Sequence, residues 1–179
     1  MSPAAVLVPG YGATVEQPIV VAMAARLRAV GIEAHPISFT RKKPTEPFAQ
    51  ELSELRNARD AIKADRIVLV GRSFGARMCT RVAAQEPPGA LILLGHPIAP
   101  SGRPRPEDDA ALQTVTSPTL VVQGDHDRLG PLDVLRRIAR KNPHMEIYVL
   151  AGTGHNFSGP RQAEGLEYAT NWLLKRLND

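Results

Sequence analysis

The chain has 179 residues, a net charge of +4 and one cysteine. That length suits a single domain over residues 1–179, one that buries about 70% of its unfolded surface. A lone thiol excludes an internal disulfide and fits a reducing compartment, with cytoplasm the expected location.

In chain order, the apolar residues 4–8 read as a first strand, with no cationic segment before them that would mark a signal peptide. An amphipathic run follows at 18–30, a second strand at 33–38, and a helical pattern at 47–63 after the polar, basic connection 40–46. The strand 66–70 is almost continuously apolar and leads into helix 76–85; strand 90–94 is similar. Residues 95–109 hold four prolines and read as the longest irregular segment. Strand 119–123, helix 131–140, strand 146–150 and helix 161–177 complete the order. Strands apolar on both faces and alternating with helices predict a three-layer α/β domain around a parallel sheet. Pro18, Pro47, Pro131 and Pro160 stand at or just before helix starts, where a missing N–H costs nothing. The longest apolar run, 19–25, is too short to span a bilayer. The basic clusters near 41–43, 103–105 and 136–141 lack interleaved aromatics or a nucleic-acid motif, so a solvated surface is expected and no nucleic-acid partner.

The chemistry concentrates where strands end. Gly71-Arg72-Ser73-Phe74-Gly75 joins the third strand to a helix, and a serine on so sharp a turn holds its hydroxyl clear of both. Its glycines lack the Cβ atoms that would block close approach of strand and helix. A serine hydroxyl needs a base to take its proton, and the base needs an acid to fix its tautomer. Candidates follow later strands: Gly124-Asp125-His126-Asp127 after the fifth, and Gly152-Thr153-Gly154-His155 after the sixth. On residue type alone Asp125 and Asp127 compete for the acid's place, and either could instead cap its loop.

The order Ser73, Asp127, His155 with these loop patterns resembles the α/β-hydrolase family over nearly the whole length, from Leu7 to the last helix. The resemblance implies six parallel strands in the order 2-1-3-4-5-6 with helices on both faces and no lid domain. It selects Asp127 as the acid, three residues after its glycine. Gly71-Arg72-Ser73-Phe74-Gly75-Ala76-Arg77 and Leu94-Gly95-His96-Pro97 carry a narrower likeness, to a dienelactone-hydrolase-like group that includes a testis-expressed protein and a histone-acetyltransferase-complex subunit.

An oxyanion would take one backbone N–H from Phe74 and a second from the loop after the first strand, where Tyr11 is the choice. The family often has His-Gly in that loop; here Pro9-Gly10 stands instead. Gly10, Gly12, Arg72 and His96 are expected to shape the substrate pocket, Arg72 either by meeting an anionic group or by pairing with the acidic loop. Trp172, Phe157 and Cys79 read as core. With no Cys/His ligand spacing, phosphate-cradling loop or dinucleotide fingerprint, no metal or cofactor is expected. The expected function is a serine hydrolase of the carboxylesterase or thioesterase kind, acting on a small-molecule ester or thioester as a monomer or homodimer. A hydrolase-fold scaffold that binds a protein partner is the alternative.

Overall fold

The computed structural model describes residues 2–178. Its elements are β1 (Ala4–Val8), α1 (Pro18–Ala29), β2 (Glu33–Pro36), α2 (Ala49–Asp60), β3 (Ile67–Arg72), α3 (Phe74–Gln85), β4 (Ala90–Leu94), α4 (Pro106–Thr114), β5 (Thr119–Gly124), α5 (Leu132–Ala139), β6 (Met145–Leu150) and α6 (Gly159–Asn178). The strands form one parallel sheet in the order β2-β1-β3-β4-β5-β6.

Side chains alternate across a strand, and here the alternation sorts the core into two layers. Ala5, Leu7, Val68, Val70, Ile92 and Leu94 face α1 and α6, where Leu27, Trp172 and Leu173 meet them. Val6, Val8, Leu69, Leu91 and Leu93 face the other way, onto α2, α3, α4 and α5 through Leu55, Met78, Leu112 and Ile138. Cys79, Phe157 and Trp172 are buried in these layers. Every strand runs the same way, so every strand-to-helix connection gathers at one edge of the sheet.

Several boundaries differ from the sequence reading. β2 stops at Pro36, on the edge of the sheet, although the Ile37 N–H just beyond it still donates to the Leu7 carbonyl at 2.9 Å. β3 runs on through Arg72 and α3 starts at Phe74, so only Ser73 separates strand from helix. The segment 95–109 is not irregular throughout: it holds a 3-10 turn at Pro100–Gly102 and the start of α4. Pro106 opens α4, and Glu107, Asp108 and Asp109 fill its first turn, where carboxylates meet the positive end of the helix. Among the described residues no separate lid domain covers the sheet, and no helix is long and apolar enough to cross a membrane.

Candidate active site

Two glycines make the turn around Ser73 possible. A Cβ on Gly71 would lie 2.5 Å from the Gly75 carbonyl oxygen and 2.6 Å from Ala76 Cα. One on Gly75 would lie 2.6 Å from the carbonyl oxygen of Pro9, just after β1. Strand and helix therefore close on each other only because those atoms are missing. Ser73 absorbs the bend with φ 52° and ψ −113°, a backbone conformation that L-residues avoid.

The Ser73 hydroxyl lies 2.8 Å from His155 Nε2, and His155 Nδ1 lies 2.8 Å from Asp127 Oδ2. An ionised carboxylate only accepts, so this geometry puts the imidazole proton on Nδ1 and leaves Nε2 to accept from the serine. The Asp127 side chain is fully buried and His155 is 17% exposed. Asp127 Oδ1 accepts the backbone N–H groups of Leu129, at 2.8 Å, and Gly130, at 3.2 Å. Asp125, the competing carboxylate, instead accepts the Thr153 N–H at 3.2 Å. Hydrogen bonds from the backbone at Gly152, more than any charge, hold its pKa below the usual range. It ties the two loops together and does not reach the imidazole.

Gln123, at the end of β5, has no exposure and was not singled out by sequence reasoning. Its Nε2 donates to Asp127 Oδ2 at 2.8 Å and to the Gly130 carbonyl at 2.9 Å, while its Oε1 accepts the His96 N–H at 2.9 Å. The available signal is a polar residue closing an otherwise apolar strand.

Arg72 corrects an expectation. It pairs with no carboxylate among the described residues. Its Nη2 donates to the His155 carbonyl at 2.6 Å and to Asn156 Oδ1 at 3.2 Å, and its Nη1 to the Leu94 carbonyl at 3.2 Å. The guanidinium sits 5.1 Å from the centre of the Phe157 ring. Burial lowers its pKa to about 10, against the opposing charge of Asp127. Arg72 thus anchors the His155 loop and not the acidic one. With Gln17, Asn156 and Phe157 it lines a small hollow of about 210 Å³.

His96 corrects another. It has no exposure, so it cannot wall an open pocket. Neither ring nitrogen has a hydrogen-bond partner among the described residues, and burial pushes its pKa down to about 4.

Gly10 lies against the serine, where a Cβ would come 3.7 Å from Ser73 Cβ, and its N–H donates to Gln17 Oε1 at 2.9 Å. Gly12, with φ 68°, faces the Lys42 carbonyl. Among the described residues neither the Tyr11 amide nor the Phe74 amide has a hydrogen-bond partner, the latter as one of the open donors of a helix start. The Tyr11 ring is 58% exposed and meets Phe74 edge-on at 5.8 Å. A cleft of about 820 Å³ is lined by Arg77 and Arg81 of α3, by Phe48 and by Arg105. Among the described residues no group of three or more His, Cys, Asp or Glu side chains could hold a metal ion.

A hydroxyl, an imidazole and a buried carboxylate in series can move a proton off the hydroxyl and stabilise the cation that forms. Two open amides nearby are suited to a developing negative charge.

The sequence model of the family described as "Alpha/beta hydrolase domain" matches residues 2–176. A monoacylglycerol lipase from Mycolicibacterium smegmatis is 37% identical over 81 residues, 42% of this chain. The match spans about a quarter, 27%, of that relative's length. Est1E from Butyrivibrio proteoclasticus, solved with ferulic acid bound, superposes with a TM-score of 0.83 over 99% of this chain and 90% of its own, at 15% identity. An alpha-beta serine hydrolase homologue from Coxiella burnetii superposes with a TM-score of 0.77 at 26% identity, covering 96% of this chain and 85% of its own.

Proposed function

Because this chain belongs to the alpha/beta hydrolase domain family, we propose that it is a serine hydrolase cleaving an ester or thioester through an acyl-enzyme. Ser73 Oγ attacks the carbonyl carbon while its proton passes to His155 Nε2. The carbonyl oxygen, now negative, is held by the Phe74 and Tyr11 amides, each worth about 3–4 kcal/mol in the transition state. The tetrahedral intermediate expels the alcohol or thiol, which takes the proton from His155. Water then repeats the sequence, releasing the acid and restoring Ser73. Asp127 keeps the imidazole in the required tautomer and stabilises its cation. Gln123 and Arg72 are positioning residues: one fixes the Asp127 carboxylate, the other the loop that carries His155.

The observation that supports this reading best is the pair of 2.8 Å contacts running from Ser73 through His155 to a buried Asp127. A scaffold serving only to bind another protein gives no reason for that alignment, nor for a serine held at φ 52°. A fluorophosphonate probe tests it. The chain should take the label on Ser73, and the Ser73→Ala variant should take none. A properly folded wild-type chain that stays unlabelled would sink the proposal.

A further inference from the structure

Among the described residues Arg105 forms no ion pair with a carboxylate. It lies at the start of α4, on the wall of the cleft of about 820 Å³, with Arg77 and Arg81 opposite it on α3. Those two are neutralised. Arg77 meets Asp108 at 2.5 Å and Glu46 at 3.2 Å, and Arg81 meets Asp108 at 2.7 Å and Glu107 at 3.3 Å. Arg105 donates to the Pro97 carbonyl at 2.6 Å, and among the described residues no carboxylate lies within ion-pair distance of it. Burial first, then the like charge of Arg77, holds its pKa below the ordinary guanidinium value, over the smaller opposing pull of Asp108 and Glu46. An anion in the cleft would relieve that electrostatic deficit.

The surroundings point the same way. A second hollow of about 450 Å³ shares Pro104 and Arg105 with the cleft and adds Arg103, which also has no carboxylate partner among the described residues. Lys42 and Lys43, exposed and likewise unpaired, precede the stretch 44–48 that forms the cleft's other wall. The cleft and the serine share α3. Arg77, the first α3 residue to line it, stands one helical turn beyond Ser73, and its N–H donates to the Ser73 carbonyl at 3.3 Å. One turn is about 5.4 Å along the axis. The Phe74 ring meets Phe48 in the cleft wall with centroids 5.1 Å apart. Phe48 and the flanking prolines offer apolar walls for a short carbon chain between the reacting carbonyl and the charge.

We propose that this cleft is an oxyanion subsite in which Arg105 pairs with a carboxylate or phosphate group of the substrate, so that the compound hydrolysed is an anionic ester or thioester. The planar guanidinium fork suits either group bidentately. The substrate class rests on the serine-hydrolase reading above; the subsite itself does not.

Calorimetric titration of the intact chain with glutarate and with phenyl phosphate tests the subsite without turnover. Saturable binding of one of them is expected, and the one that binds identifies the anion's chemistry. Affinity should fall about tenfold or more in Arg105→Gln and recover in part in Arg105→Lys. Absence of saturable binding by either anion, or equal affinity in Arg105→Gln, overturns the proposal. Nitrophenyl butyrate and nitrophenyl hydrogen glutarate then read the substrate. The charged ester should be favoured in kcat/KM by about tenfold, a preference that shrinks with added salt and in Arg105→Gln. Equal or better hydrolysis of the neutral ester overturns the substrate assignment. Anion binding through Arg105, with neither ester hydrolysed and no fluorophosphonate label, upholds the subsite and sinks the hydrolase reading instead.

Discussion

Gln123 uses both ends of its amide inside the protein, and one of those bonds reaches the carboxylate oxygen that also accepts from His155. Replacing it with Met keeps the volume and removes the donor. Loss of one hydrogen bond to a charged group is worth about 1.5–3 kcal/mol, so kcat on a nitrophenyl ester should fall about 10–100-fold with KM little changed. Gln123→Glu, which sets a second carboxylate against Asp127, should lose more than Gln123→Met; equal activities in the two variants would leave Gln123 a packing residue only. Ser73→Ala should lower turnover by roughly 10⁴–10⁶-fold, and Asp127→Asn by about 10⁴-fold, each with an unchanged circular dichroism spectrum. Ser73, Asp127 and His155 are legible in the sequence because each stands in a glycine-marked loop after a strand. Gln123 is not, because a polar residue after three apolar ones looks like the place where a strand meets solvent. Nor is the role of Arg72, since nothing in a pentapeptide says that its guanidinium will reach carbonyls 22 and 83 residues away.

At the scale of elements, α4 is the piece that sequence patterning hides. Only Asp108 and Leu112 of its nine residues are buried, so it has no apolar stripe to read. What docks it is charge. The fully buried Asp108 carboxylate holds Arg77 and Arg81 of α3, side chains only 8% and 12% exposed. Burial alone would raise the Asp108 pKa, but the two guanidinium groups outweigh it and the shift is downward. Removing one partner of so buried a pair leaves uncompensated charge, so Asp108→Ala should destabilise the fold by about 3–5 kcal/mol in urea unfolding. Glu107→Ala, at an exposed position on the same network, should change stability by less than about 0.5 kcal/mol. If the two substitutions cost the same, α4 is held by something other than this clamp. The strands are the opposite case: buried on both faces, they appear in the sequence as apolar runs that only a covered parallel sheet explains.

Across the whole molecule, the parallel sheet gathers every strand-to-helix loop at one edge, among them those that carry Ser73, Asp127 and His155. The order of the strands follows from family likeness, since periodicity alone does not distinguish one doubly wound order from another. The same edge also encloses His96, which links the site to stability. Its imidazole, buried among Asp108, Arg77, Arg105 and Asp127, has a pKa lowered to about 4 from 6.5, chiefly by burial. The unfolded chain therefore binds a proton at this residue as pH falls below about 6.5, while the folded chain does not until about 4. Stability is full above 6.5 and declines across that window by as much as about 3 kcal/mol, at about 1.4 kcal/mol per pH unit. Asp108 works in a different range. Its folded pKa lies below its ordinary 3.8, so its contribution persists above that value and is lost only as pH falls further. The two are separable by experiment. Urea unfolding of the wild-type chain at pH 7.5, 6 and 5 should give progressively lower stability, and His96→Phe should flatten that decline. Because Phe leaves no unpaired ring nitrogen in the core, the variant should also match or exceed the wild type at pH 5. An unchanged slope in His96→Phe would mean that protons taken up elsewhere on unfolding set the acid sensitivity of this fold.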